Sequence, residues 1–421
     1  MVSSQQEPSE KVGLGFLVLY GLANASAILA VMPILSILIP AQVIAVDVAN
    51  SANNLAFVLG LGATGAFLGN PIGGALSDRT LSRYGRRRPW IMVGTLATAG
   101  GLLLLAYSHT ILWLAIGWFV VQFFGNVLFA AQAAVQPDRI PIYQRGTTQS
   151  ILGLTSPVFL LGGTYFLGRV KDFRAGYFPV IGLLLLMNAA FVLYYQEVPV
   201  CKEDLPIFKW KDYLVSFWFN PKKQPVFAKA WITWLLIWTG FTLGSGSFLY
   251  MYVQNIVGYE SLFVGHAVKE GISNIGVLQT LFGVPVLLLV GVLSDKLKVR
   301  KIFVVSSVVL VAIGIGLLTM NLTWTALVVV CVVIGVGFRV FFGLGAALMS
   351  EILPSASDRG KDLGVVNIAS TIPQIVLPGI GAAVIYTWGL ASATGYQVLF
   401  GGGLVLSLLG AAILQSMRGV R

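Results

Sequence analysis

Ser77-Asp78-Arg79-Thr80-Leu81-Ser82-Arg83-Tyr84-Gly85-Arg86-Arg87-Arg88-Pro89 is a dense cationic stretch set between two long apolar ones. A weaker copy, Ser294-Asp295-Lys296-Leu297-Lys298-Val299-Arg300-Lys301, places its aspartate 217 positions after Asp78. Further along each half comes a second landmark. Pro137-Asp138-Arg139-Ile140-Pro141 leads to Gln144-Arg145-Gly146, and Glu351-Ile352-Leu353-Pro354 leads to Asp358-Arg359-Gly360. Asp138 and Glu351 are 213 apart, and Arg145 and Arg359 are 214 apart. Three landmarks in one order at nearly one offset mean that the chain is two similar halves.

Composition says what surrounds those halves. Of the 421 residues 57% are hydrophobic and 10% charged, against roughly 25% charged in soluble domains, so most of the surface meets lipid rather than water. Forty-eight glycines agree, because membrane helices tolerate glycine better than soluble ones. Neither cysteine is informative: Cys201 lies in a polar loop and Cys331 in an apolar span, so a disulfide between them is not expected. The first ten residues carry no basic run that would mark a cleavable leader.

Crossing the hydrocarbon takes about 20 apolar residues as a helix. Twelve stretches qualify, near 13–39, 53–76, 90–107, 111–136, 147–169, 176–195, 229–256, 272–293, 302–320, 323–350, 363–388 and 395–417. Backbone groups in lipid must pair internally, so each is expected as a helix. The long polar interruption at 196–228 divides them six and six. It predicts an N-terminal six-helix bundle over 1–195, a cytoplasmic linker over 196–228 and a C-terminal bundle over 229–421. With the N-terminus inside, 22 of the 27 basic residues fall on the cytoplasmic side. That skew predicts both termini in the cytoplasm and a multi-pass protein of the plasma (inner) membrane. It also accounts for the +11 net charge without a nucleic-acid partner. Both members of each repeated landmark run in one direction. The repeat is therefore parallel, as in carriers whose halves are related about the membrane normal.

The signature now on the page resembles the major facilitator superfamily. Gly74, Asp78, Arg79, Gly85, Arg86 and Arg87 match its Gly-x-x-x-Asp-Arg and Gly-Arg-Arg pattern, with a longer spacing between the aspartate and the second glycine than is usual. The extended form through Pro89-Trp90-Ile91 resembles the glycoside–pentoside–hexuronide branch, sucrose-type carriers in particular. Arg359-Gly360-Lys361-Asp362-Leu363-Gly364-Val365-Val366-Asn367-Ile368-Ala369 resembles bacterial members of that group. The resemblance implies an all-α protein of two six-helix bundles that moves a small polar solute, a sugar or glycoside, by alternating access. It implies a gating role for Asp78, Arg79, Gly85, Arg86, Arg87, Asp138, Asp295 and Glu351. Asp78 would meet the N-terminus of the eleventh span, where free N–H groups favour an anion. Arg79, Arg86 and Arg87 would pair with Asp138 or lipid phosphate and hold the halves together on the cytoplasmic side. The bland alternative is that these arginines only fix topology.

In that architecture the first, fourth, seventh and tenth spans line a central cavity. Polar positions on them are candidate solute ligands: Tyr20 and Asn24, Gln122 and Asn126 (both pairs one turn apart), and the stripe Trp234, Trp238, Thr242 and Ser245. Gln279, Asn367 and Gln374 join them from the eighth and eleventh spans. The competing reading is that each serves a neighbouring helix, as amides and hydroxyls in membranes often do. Arg339 lies twelve residues before Glu351, about 18 Å along a helix. An arginine so deep is a functional hypothesis by default. Asn126 lies twelve before Asp138, so the two are counterparts. Arg339 either binds an anionic or strongly polar group of the cargo or braces the tenth and eleventh spans.

All sixteen acids sit at span ends or in loops. Where sucrose-type carriers hold a proton-binding aspartate, this chain has Gln122. Where melibiose-type carriers hold sodium with acids of the second span, it has amides such as Asn54. The expectation is a facilitator or exchanger, or coupling through an unusual acid such as Asp47. No metal-ligand spacing, P-loop or nucleophile–base set stands out, so no metal, cofactor or enzymatic role is expected. A monomer is expected. A carrier of organic anions or drug-like compounds is the competing reading, and a non-transporting receptor or assembly factor the third.

Overall fold

The computed structural model describes residues 8, 10–197, 221, 224–320, 322–352 and 359–417. Twelve helices in it are long and apolar enough to cross a membrane. They are α1 (Leu14–Val46), α2 (Ser51–Ser77), α3 (Arg88–Ala106), α4 (Ile111–Arg139), α5 (Ile142–Arg169), α6 (Phe173–Tyr194), α7 (Pro225–Val257), α8 (Val268–Leu297), α9 (Arg300–Leu317), α10 (Trp324–Ile352), α11 (Arg359–Trp388) and α12 (Ala393–Ser416).

Two helices depart from their expected form at identifiable residues. α1 runs beyond 39 because the chain after Pro33 widens into a π turn, Ile34–Leu38, and then resumes through Val46. The Ser36 hydroxyl donates to the Met32 carbonyl there, at 3.1 Å. α7 is interrupted at Gly244-Ser245-Gly246, where Gly246 takes φ +60°. It then ends in a second π turn, Val253–Val257, against Gly258 at φ +65°. Elsewhere hydroxyls are absorbed by their own helix: Thr95, Thr148, Thr239, Thr242 and Ser245 each donate to the carbonyl four residues back. This satisfies a polar group without a partner helix.

The described chain forms two compact units, one of Met1–Val48 with Leu61–Ile207 and one of Ala49–Gly60 with Phe208–Arg421. The linker expected at 196–228 falls largely on 198–220, outside the described residues. Within the first unit α1 packs on α5 and α6, and α3 packs on α4 and α6. Within the second, α7 packs on α11 and α12, and α9 on α10 and α12. Adding six to each helix number turns the first set into the second, which is the repeat expressed as packing. The first core centres on Phe16, Tyr20, Phe191 and Tyr195, whose rings lie 5.5–6.4 Å apart. The second is built on Phe227, Trp234, Ile237, Val308, Phe341 and Leu348.

The repeat also carries a polar brace that the sequence landmarks did not reveal. In the first unit the Tyr177 hydroxyl donates to Gln42 Oε1, and Gln42 Nε2 donates to the Leu105 carbonyl at 3.1 Å. In the second, Asn255 Nδ2 donates to the Tyr396 hydroxyl at 3.2 Å. Both braces join the first and last helix of their unit. Tyr177 and Gln42 are buried and Asn255 is half-buried. Tyr177→Phe orphans a buried amide oxygen and is expected to cost about 1–3 kcal/mol, with Tyr396→Phe costing less. Paired thermal-unfolding midpoints in one detergent check that order.

Candidate functional site

The loop that announced the fold is held by charge. Arg87, buried between α2 and α3, donates from Nε to Asp138 Oδ2 at 2.8 Å and from Nη1 to the Ser77 hydroxyl at 2.7 Å, and it pairs with Asp78. Arg86 Nη2 sits 3.1 Å from the other oxygen of Asp138. Burial pulls the Arg87 guanidinium down, and the Asp138 and Asp78 carboxylates more than reverse it, so the group is held above its ordinary range. Glu197 completes the arrangement: its carboxylate accepts from the Arg87 N–H at 2.9 Å and the Arg88 N–H at 3.2 Å. Gly85 turns the loop at φ +93°, and a Cβ there would strike the Glu197 carboxylate.

The expected pairing of Arg86 and Arg87 with Asp138 is present, and all of these residues belong to the first unit, so these contacts lie within one half rather than across the two. The pairs form inside one bundle because the 77–89 loop and the end of α4 are neighbours within it. Glu197 went unnoticed in the sequence because it opens the charged run read as a linker. The second copy is thinner. Asp295 accepts from Arg300 Nη2 at 2.6 Å at the surface, and Lys301 donates to the carbonyls of Gln415 and Met417 at the end of α12. The Glu351 side chain lies outside the described residues.

In the first unit the candidate solute ligands divide. The Tyr20 hydroxyl donates to the Gln132 carbonyl at 3.0 Å and the ring sits in the aromatic core, so its polar end is taken up in joining α1 to α4. Nearby, Gln132 Nε2 donates to Asn188 Oδ1 at 2.7 Å and Asn188 donates to Ser26 at 3.1 Å, a buried ladder across α4, α6 and α1. Asn24 and Asn126 are half-buried and each gives one amide hydrogen to its own helix, leaving a carbonyl oxygen over. Gln122 is buried, and its Oε1 has no hydrogen-bond partner among the described residues.

In the second unit α7, α8 and α10 bring several candidates together. Trp234 packs on Phe341 at 4.8 Å within the core. Trp238 meets Phe338 edge-on at 5.0 Å, and its buried indole Nε1 has no partner. Phe241 stacks on Phe338. Thr242 donates to the Trp238 carbonyl at 2.7 Å. Gln279 donates to the Cys331 carbonyl at 2.8 Å, which spends its amide on joining α8 to α10. One residue on, the Thr280 hydroxyl accepts from Arg339 Nη2 at 2.7 Å. Gly283 lies beneath the Arg339 stem, where a Cβ would meet Cδ and Nε. Among the described residues no carboxylate pairs with Arg339. On α11, Gln374 donates to the Ser370 carbonyl at 2.9 Å, and Asn367 is exposed. A cleft of about 480 Å³ at the α1–α6 end, beside Lys11, Arg139 and Tyr194, is lined by none of the candidate ligands.

Twelve membrane-length helices whose packing pattern recurs in the two units, with a buried arginine–aspartate loop after the second helix, have a counterpart among known sequences. The description of the Major Facilitator Superfamily matches residues 16–269 and 266–418. The chain belongs to this superfamily. It is a multi-pass membrane transporter, not an enzyme, and its fold is the major facilitator fold. Among solved structures, the nucleoside transporter NupG aligns with TM-score 0.70 at 14% identity, covering 94% of this chain and 99% of that one. A D-xylose–proton symporter aligns with TM-score 0.69 at 16% identity, covering 96% and 97%. At these identities the likeness to other superfamily members is one of fold. No curated protein matches the sequence.

Proposed function

We propose that this superfamily member carries a small polar solute, a sugar or glycoside, by alternating access, as a facilitator or exchanger of the glycoside–pentoside–hexuronide kind. Of the nine buried side-chain polar atoms without a hydrogen-bond partner among the described residues, two belong to candidate ligands and carry the reading, Gln122 Oε1 on α4 in the first unit and, separately, Trp238 Nε1 on α7 in the second. An unmet acceptor and an unmet donor are costly in lipid unless a ligand meets them. Sugar hydroxyls donate to amide oxygens and accept from indole N–H groups, and the C–H face of a ring lies on aromatic carbon such as Trp238 and Phe338. Asn24, Asn126, Thr242, Asn367 and Gln374 supply further amide and hydroxyl groups. Asp78, Arg79, Gly85, Arg86, Arg87, Asp138, Asp295 and Glu351 form the gating loops. The domain limits of 1–195, 196–228 and 229–421, both termini in the cytoplasm, the plasma membrane and a monomer complete the proposal.

The coupling part rests on an absence at named positions. Gln122 has no titratable proton, and among the described residues the acids lie toward span ends or in loops. Initial uptake of a labelled sugar into proteoliposomes is therefore expected to be the same after a protonophore or with sodium replaced by choline. Uptake that stops under either treatment overturns the uncoupled reading. Failure to take up any sugar or glycoside overturns the solute class. A second class, organic anions, is favoured by Arg339.

A further inference from the structure

We propose that the cargo is a monoanion, a carboxylate-bearing solute of sugar size, and that Arg339 is the residue that holds its charge. The inference rests on the solute-carrier reading above and narrows it.

Arg339 lies near the middle of α10, far from both ends of a helix that runs Trp324–Ile352. The hydrocarbon half-thickness is about 15 Å, longer than an arginine side chain, so lipid phosphates at either surface are out of its reach. A guanidinium carries five N–H donors in a planar fork. Thr280 accepts from one nitrogen, and that hydroxyl is neutral and itself donates to the Gly276 carbonyl. None of the guanidinium nitrogens is a fully buried orphan, so the fork keeps an open side. Gly283 makes the passage possible, because any side chain there would occupy the path of the Arg339 stem. The site thus holds a cation on a fixed support with most of its donors uncommitted, and a charge in that position calls for a counter-charge.

Charge matching selects the anion. Among the described residues every other basic one lies at a span end or in a loop, so one cation faces the cargo. A carboxylate carries one charge and two oxygens that fit the guanidinium fork, whereas a phosphate dianion would leave a second charge unmet. The neighbours select the rest of the molecule. Phe338 precedes Arg339 in α10 and Phe342 lies three residues on, and the ring of Phe338 stacks on Phe241 and touches Trp238, whose indole N–H is unpartnered. An aromatic floor with one free donor beside a cation suits a polar ring bearing a carboxylate.

The test uses the full-length protein in nanodiscs, with binding read by thermal unfolding and by displacement. The probes are glucuronate with glucose, galacturonate with galactose, and glucuronate methyl ester, which keeps the ring and removes the charge. A sugar acid is expected to bind wild type roughly 10- to 100-fold more tightly than its neutral partner or its ester, the worth of a charge-assisted bidentate contact. Arg339→Gln is expected to abolish that difference, and Arg339→Lys to keep part of it. The ester comparison needs no substitution, so it decides the matter even if Arg339→Gln fails to fold. Equal binding of acid, ester and neutral sugar to wild type, or unchanged discrimination in Arg339→Gln, assigns Arg339 to bracing α8 against α10 and overturns the proposal while leaving the solute-carrier reading in place. If neither series binds or is taken up, the sugar-carrier reading falls and this inference with it.

Discussion

Asp138→Ala is expected to destabilise the protein by about 3–5 kcal/mol, the range for stripping one partner from a buried ion pair. Asp138 bridges two arginines, accepting from Arg87 at 2.8 Å on one oxygen and lying 3.1 Å from Arg86 on the other. Arg87 is 5% exposed and Asp138 18%, so water is a poor substitute for the lost carboxylate. Asp78 pairs with the same guanidinium but is 59% exposed, and its contribution is correspondingly screened. Asp78→Ala should therefore cost well under half as much. Thermal unfolding of the two variants gives the ranking. The Arg87→Ala and Asp138→Ala double variant should lose less than the sum of the singles, because a contact can be removed only once. Additive losses would mean that the pair is incidental. Uptake should fall with stability, since 1.4 kcal/mol shifts a conformational equilibrium about tenfold.

That cluster also marks where sequence reading reaches its limit. Asp78, Arg86, Arg87 and Asp138 were legible because charged residues in an apolar chain stand out and their repeat fixes their order. The pairing of Arg86 and Arg87 with Asp138 was expected from the family resemblance and not from the offset, which says which residues correspond and not which ones touch. Glu197 was lost in a charged run for the same reason. The depth of Arg339 could be counted along α10 from Glu351. Its partner Thr280 could not, because hydroxyls are common in membrane helices and most bond to their own backbone, as Thr239 and Thr242 do. Tyr20 shows the underlying difficulty. In water a polar stripe tells which way a helix faces, but in lipid both the packed and the lipid-facing sides are apolar, so rotation about the axis is nearly silent in sequence. Its phenol was read as a solute ligand and is engaged with the Gln132 carbonyl. The twelve spans themselves were legible because length and hydropathy do not depend on that rotation. The π turns in α1 and α7 went unseen because they depend on how carbonyls freed near Pro33 and Gly244 find new donors.

The contact between α2 and α4 provides the second large effect, and it too depends on rotation. Gly65, Gly69 and Gly73 recur every four residues and turn one face of α2 toward α4. A Cβ at Gly69 would fall against the carbonyl, carbonyl carbon and Cα of Phe123, one at Gly65 against the Phe119 carbonyl oxygen, and one at Gly73 against the Val127 Cα. These are backbone atoms, which cannot rotate aside as a side-chain tip can. In lipid, where burial of apolar groups supplies no drive to associate, such close backbone approach is what holds helices together. Gly69→Val is therefore expected to force α2 away from α4 and to cost roughly 3 kcal/mol or more, the upper part of the range for overpacking. Gly182 on α6 is the matched control, because a Cβ there meets nothing within 4 Å. Gly182→Ala should be neutral or stabilising by up to about 1 kcal/mol, since alanine is the better helix former. Thermal midpoints and yields of monodisperse protein compare the two. If Gly69→Val unfolds at the wild-type temperature, α2 and α4 do not meet along this stripe. A solute path that depends on α4 would then have to be placed on a different face from the one carrying Gln122 and Asn126.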